Sequence, residues 1–260
     1  MLLAVLLTAS CAGCSDDSKT ATSGGEVAPA TDAGGGATDT GPVAVDPATV
    51  GSVSGVVRYD GPPVEITYFN PLGESFCIEH SDNKMPDESL LVEDGKLVNA
   101  FVWIETGLDG FEFPVSNEKV QLDQQGCVFL PRVFGLQEGQ DVHVSNSDPI
   151  LHNVHFKPAR GRGKNVAMPA GATPRDFDFK APDVMMSIIC DVHSYMRSFV
   201  GVLEHPCFAV TGADGSFDIQ GVPPGDYTLS VWHETLGRRQ AEITVGASEA
   251  VVADDFVYTP

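Results

Sequence analysis

Val53-Ser-Gly-Val-Val-Arg-Tyr59 is followed at once by Asp60-Gly-Pro-Pro63, and this coupling of a short β-branched run to a Gly/Pro turn recurs through the chain after residue 50. Similar runs stand at Val98-Asn-Ala-Phe-Val-Trp-Ile104, Asp141-Val-His-Val-Ser145, Phe199-Val-Gly-Val-Leu203 and Tyr227-Thr-Leu-Ser-Val-Trp232. Turn signals separate them at Asp94-Gly95, Asp109-Gly110, Asp214-Gly215 and Pro223-Pro-Gly-Asp226. Branched and aromatic side chains suit a pleated, half-buried surface, while Gly, Pro and Asp make the reversals between strands. No capped stretch keeps helical periodicity beyond about three turns. The expectation is an all-β protein built from β-sandwiches.

The chain has 260 residues, and its 42% hydrophobic content is ample for one or two modest domains. Fifteen Lys and Arg face 36 Asp and Glu, a formal charge of −21. Displacing counterions from phosphates needs clustered positive charge, so this balance argues against nucleic acid as a partner. No apolar run approaches the roughly 18 residues of a spanning helix. Residues 15–50 carry six acids and one base among Gly, Ala, Thr, Ser and Pro, and read as a flexible tether. Ahead of it, Met1-Leu-Leu-Ala-Val-Leu-Leu-Thr-Ala-Ser-Cys11-Ala-Gly-Cys14 is a short apolar stretch ending in small residues and cysteine. It resembles the export signal of a bacterial lipoprotein, with Cys11 or Cys14 as the lipidated residue and an ordinary cleaved signal as the alternative. Either way the protein is expected to be exported, to the periplasm or cell envelope, and to meet the membrane only through a lipid anchor.

The strongest chemical signal is Cys190-Asp-Val-His193-Ser-Tyr-Met196, preceded by the β-like run Val184-Met-Met-Ser-Ile-Ile189, with His152-Asn-Val-His155 upstream. A thiolate, an imidazole and a thioether on a tight loop after a strand, joined by a distant imidazole, form the donor set of a blue-copper site. Soft sulfur stabilises Cu(I), imidazole tolerates both oxidation states, and a geometry acceptable to both lowers the reorganisation when an electron passes. Singly, each residue has a plainer role: Cys190 as a buried thiol or half of a disulfide with Cys207 or Cys127, Met196 as core filling. Their joint spacing favours the metal. His155, three residues beyond His152 in a strand, points to the opposite side of the sheet.

At these residues the chain resembles the cupredoxins, the plastocyanin, azurin and amicyanin group of copper electron carriers. Val144-Ser-Asn-Ser-Asp-Pro-Ile-Leu-His152-Asn153 has the shape of that family's first-histidine segment. The resemblance implies one copper per chain, cycling between Cu(I) and Cu(II), held by His152, Cys190, His193 and Met196, with Asn153 bracing the two ligand loops. It further implies electron passage through the solvent-near edge of His193 to a redox protein, a cytochrome or dehydrogenase. From His205 onward, Pro-Cys-Phe-Ala-Val-Thr, Asp214-Gly-Ser-Phe and Pro223-Pro-Gly-Asp-Tyr-Thr-Leu229 resemble a carboxypeptidase-regulatory-like, or transthyretin-like, β-sandwich. The opening Gly51-Ser-Val-Ser-Gly-Val-Val-Arg-Tyr59 looks like its first strand. The expected organisation is a signal at 1–14, the tether at 15–50, a cupredoxin-like domain at 51–205 whose first strand is shared, and the second module at 206–260. Departures fall at Pro131-Arg132-Val133, Ser194-Tyr195 and Cys207, where His, Pro-Trp and Tyr would be usual.

Cys77 and Cys127 lie away from the ligand loop, and in an oxidising compartment they most simply form a disulfide, which leaves Cys207 as a buried free thiol. His205, His233 and Glu234, with His155 or His143, form either a second metal or proton-relay site or a hydrogen-bonded module interface; the latter is favoured, because dispersed histidines lack ligand spacing. No nucleophile triad, paired acids or phosphate-binding Gly loop appears, so an electron carrier without turnover is expected rather than an enzyme. Copper trafficking and a structural envelope role with a relict site remain the alternatives. Residues 151–200 hold seven bases against four acids, so the ligand end is expected to be locally basic and to steer acidic partner surfaces.

Overall fold

The computed structural model describes residues 41–71 and 74–260. The signal segment with Cys11 and Cys14, and the tether up to residue 40, lie outside the described residues. The last part of the expected tether is ordered: Val43–Ala44 pairs in parallel with Phe111–Glu112, and Asp46 Oδ1 accepts the Ala48 amide at 2.9 Å. Pairing here uses backbone groups that every residue carries, so composition gave no sign of it.

The four larger sheets stack on one another. Val128–Leu130, Val120–Gln125, Asp141–Asn146 and Arg175–Asp178 form the first, in that spatial order. Val133–Gln137, Arg197–Leu203, Asp183–Ile189, His152–Lys157 and Lys164–Met168 form the second. Alternation decides which side chains meet between them: Val142 and Val144 point inward from one sheet, Val154 and Phe156 from the other, with Leu122, Ile188, Val200 and Val202.

The third sheet orders Phe208–Val210, Phe101–Thr106, Gly225–His233 and Gly237–Val245. In Phe101–Thr106 the period of two splits the burial: Phe101 and Trp103 pack on Phe199 and Leu203 of the second sheet, while Val102 and Ile104 enter a separate core with Val53, Val57, Phe217 and Ile219. That core is closed by the fourth sheet, in which Gly51–Tyr59 is flanked by Ser216–Val222, Lys96–Leu97, Ala250–Val252 and Phe256–Tyr258. Strands from before and after the ligand segment therefore share the same two sheets. Arg197–Leu203, covered on both faces, is apolar almost throughout.

Two glycines let the second and third sheets approach. A Cβ on Gly201 would stand 2.4 Å from Phe101 Cζ, and one on Gly135 would stand 2.4 Å from Phe208 Cε2. Gly201→Ala is expected to cost about 1–3 kcal/mol by overpacking, lowering Tm by roughly 2–4 °C per kcal/mol. Thermal unfolding at the parent temperature would show that the sheets are not in such close contact.

Candidate metal centre

The ligand loop leaves the second sheet at the end of Asp183–Ile189. Ile189 pairs with His155, so Cys190 emerges beside the strand that carries His152. Two backbone bonds close the loop, from the Cys190 amide to Met196 O at 3.3 Å and from the Met196 amide to His193 O at 2.9 Å. Three potential donor atoms converge there. His152 Nδ1 and His193 Nδ1 face each other at 2.9 Å, Cys190 Sγ is 3.7 Å from His193 Nδ1, and all three lie within 4.8 Å of one another. Cys190, His152 and His193 are buried. Met196 is buried in the same apolar cluster as Cys190.

Asn153 ties the two segments together. Its Oδ1 accepts the Asp191 amide at 2.7 Å and the Cys190 thiol at 3.3 Å, and its Nδ2 donates to Asp191 Oδ2 at 3.1 Å. On the outer side His155 Nδ1 meets the Asp191 carboxylate at 3.1 Å. The hydrogen bonds from His155 and then Asn165 hold Asp191 below the usual carboxylate range.

Asp148, which sequence reasoning passed over, takes three hydrogen bonds at the site. Gln125 pairs with Val128, leaving Gly126-Cys127 as a two-residue hairpin turn with φ of 67° and 62°. Both turn amides donate to the buried Asp148 carboxylate, at 2.7 and 2.8 Å, and His152 Nε2 meets Asp148 Oδ2 at 2.8 Å. An ionised carboxylate only accepts, so the network assigns the His152 proton to Nε2 and leaves a lone pair on Nδ1. The sign that could have revealed it is an acid four residues before a ligand-type histidine, in the Asn146-Ser-Asp-Pro149 turn. Cys77 and Cys127 are joined as a disulfide. Cys77 Sγ lies 3.9 Å from His193 Nε2.

These donors fit a thiophilic cation. A disulfide sulfur offers no proton, so the His193 Nε2–H faces an acceptor and its Nδ1 is free to present a second lone pair toward that of His152. Burial lowers the His193 pKa, which favours the neutral imidazole, the form able to ligate. Metal–ligand bonds of roughly 2 Å would bridge donors spaced as these are.

Two expectations need correction. The edge of His193 is not near solvent: the residue is 4% exposed, because Cys77 occupies the space outside Nε2. Nor are most of the bases at the ligand end. The strand His152–Lys157 runs away from His152 for about 16 Å at 3.3 Å per residue. Arg160, Arg162, Lys164 and Lys180 line a pocket at that far end, where Lys164 and Lys180 pair with Asp178. Strand direction, invisible in a residue count, separates the charge from the donors.

The remaining candidates do not gather. Among the described residues, the ligand-type groups of three are His152, Cys190 and His193, and Cys127, Asp148 and His152. Glu234 pairs with Arg132 at 2.7 Å, burial raising its pKa against the pull of that guanidinium. His205 Nδ1 accepts the Cys207 amide at 3.2 Å and His233 Nδ1 the Thr235 amide at 3.3 Å. His143 meets Asp176 at 2.7 Å. Cys207 is a buried free thiol, pushed up to about 12 by burial.

Burial lowers His205 to about 4, and burial with the Arg132 charge lowers His233 to about 4. Both bind a proton more readily unfolded than folded, so they favour the fold above the ordinary histidine value of about 6.5 and oppose it as pH falls toward 4. Tm should decline over that window, and His233→Gln should flatten the decline. An equal slope in the variant would remove His233 as a cause.

No family model and no curated protein matches the chain. Solved cupredoxins align with part of it. A purple cupredoxin from Nitrosopumilus maritimus is 16% identical over 32% of this chain and 98% of its own, with a TM-score of 0.28. An oxidized proline-to-alanine variant of amicyanin is 20% identical over 34% of this chain and 85% of its own, at 0.29. A copper-containing nitrite reductase from Thermus scotoductus is 20% identical over 39% of this chain and 25% of its own, at 0.29.

Proposed function

We propose that the protein is an exported mononuclear blue-copper electron carrier, in which His152, Cys190, His193 and Met196 would hold the copper. The observation that carries this reading is the convergence of two imidazole Nδ1 atoms and one thiol on a single buried point. Copper bound there supplies a centre that takes up and returns one electron. The protein's own residues do the rest. Asp148 fixes the tautomer of His152, Asn153 joins the histidine strand to the cysteine loop, and the surrounding core excludes water and holds the donors in one arrangement for both oxidation states. The second and third sheets bind the copper-carrying sandwich to the regulatory-like module through Phe101, Trp103 and Phe199 and through the Arg132–Glu234 pair, and we read that module as a rigid mount. Lipidation at Cys11 or Cys14 and a location in the periplasm or cell envelope belong to the same proposal.

Voltammetry of the copper-loaded protein tests it. A reversible one-electron couple with one copper per chain is expected. A protein that holds only Cu(I) and shows no couple would indicate trafficking instead. Because the basic pocket lies beyond the far end of the ligand strand, Arg160→Glu with Arg162→Glu is expected to leave the rate of electron exchange with an acidic redox protein unchanged. A marked fall in that rate would restore the bases as a steering surface.

A further inference from the structure

We propose that the Cys77–Cys127 disulfide caps the metal-ligand pocket by closing the outer edge of His193, and that the ring pair Tyr195 and Phe69 is the face through which the pocket exchanges electrons with a one-electron redox partner. The inference rests on the copper reading above and names the route that serves it.

The cap touches both histidines. Cys77 Sγ stands against His193 Nε2 at 3.9 Å, while the Cys127 amide holds Asp148, which holds His152. Both cysteines have no exposed surface, and Met85, Phe76 and Ile150 pack around them. A partner pressed against this side meets the apolar collar, and the disulfide beneath it stands between that collar and the imidazole. Beside the cap the structure is open to a different contact. The Tyr195 ring centroid lies 5.8 Å from that of His193 and 6.5 Å from that of Phe69, with Tyr195 and Phe69 inclined by only 20°. Phe69 is 43% exposed and the adjoining Tyr68 57% exposed, so the aromatic series reaches solvent.

Transfer along these rings moves one electron and nothing else. Copper(I) in the protein loses it, the partner gains it, no proton leaves and no bond is made or broken. The Tyr195 hydroxyl is buried without a hydrogen-bond partner. No neighbour is placed to take its proton, so the ring acts as a tunnelling medium and not as a radical station.

The test has a metal-free arm and a loaded arm. Metal-free protein is treated with diethyl pyrocarbonate, and acylation of each histidine is read by mass spectrometry. His193 should be protected while exposed His80 reacts, and the paired Cys77→Ser, Cys127→Ser variant should bring His193 to a rate approaching that of His80. Equal reactivity of His193 and His80 in the unsubstituted protein overturns the cap without recourse to any variant. In the loaded arm, copper(I) protein is oxidised by hexacyanoferrate(III) at high ionic strength, which screens the charge of the protein. Phe69→Leu and Tyr195→Leu should each slow oxidation by about tenfold, the lower end of what substitutions within one contact face produce. Leu151→Ala, exposed beside His152, should not. Unchanged rates in both ring variants, with the visible spectrum intact, overturn the route alone. A colourless copper complex of the unsubstituted protein overturns the copper reading on which the route depends.

Discussion

Cys190→Ser is expected to remove the coloured copper complex entirely. Cys190 is 1% exposed and sits at the junction of strand and loop, where its Sγ faces Asn153 Oδ1 and His193 Nδ1. Serine is close in shape and can still donate to Asn153, so the loop bonds from Cys190 N to Met196 O and from Met196 N to His193 O should persist. What serine lacks is a thiolate, the only donor here that can give covalent charge transfer to Cu(II) and soft stabilisation to Cu(I). The variant should melt near the parent temperature without metal and bind Cu(II), if at all, weakly and without the intense band. A strong visible band retained in the variant would place the copper thiolate elsewhere, with Cys207 the remaining free thiol among the described residues.

Asp148→Asn should have the second largest effect. The Asp148 side chain is 3% exposed and serves three donors: the Gly126 and Cys127 amides and His152 Nε2. An amide group offers one acceptor oxygen and brings two N–H groups of its own, so at least one buried donor loses its partner, at about 1–3 kcal/mol. Loss of an outer carboxylate that orients a ligating histidine typically weakens metal binding by about 10–100-fold. Loss of the negative charge also destabilises the more positive oxidation state, so the reduction potential of the copper-loaded variant should rise. Competition with a copper chelator measures the affinity, and voltammetry the potential. Unchanged values for both would reduce Asp148 to a brace for the 126–127 turn.

The sequence carried the β architecture through repeated local signals, since many strands show an alternating or β-branched run and many turns carry Gly or Pro. Cys190, His193 and Met196 were legible because seven residues of one loop hold them, and His152 because Asn146-Ser-Asp-Pro prepares its strand. Local spacing could not show what arrives from a distance. Cys77 is separated from His193 by 116 positions, and nothing in either segment signals that the disulfide would cover the imidazole edge. Asp148 was overlooked because its role depends on a turn some twenty residues upstream whose amides happen to point at it. The charge count over residues 151–200 misled for a similar reason. It summed a hairpin whose tip lies at one end of the sheet with the proposed ligands, which lie at the other. Gly135 and Gly201 read as ordinary strand glycines, and only the packed sheets show that each makes room for a phenyl ring.

The central claim is that two imidazoles and a thiolate form one copper centre able to change oxidation state. The most direct measurement is the visible spectrum of the purified protein after one equivalent of Cu(II), followed through one-electron reduction and reoxidation. The account predicts an intense thiolate-to-copper absorption that bleaches on reduction and returns in full on reoxidation. A spectrum showing no such absorption would contradict it, as would one whose band is lost irreversibly on the first reduction.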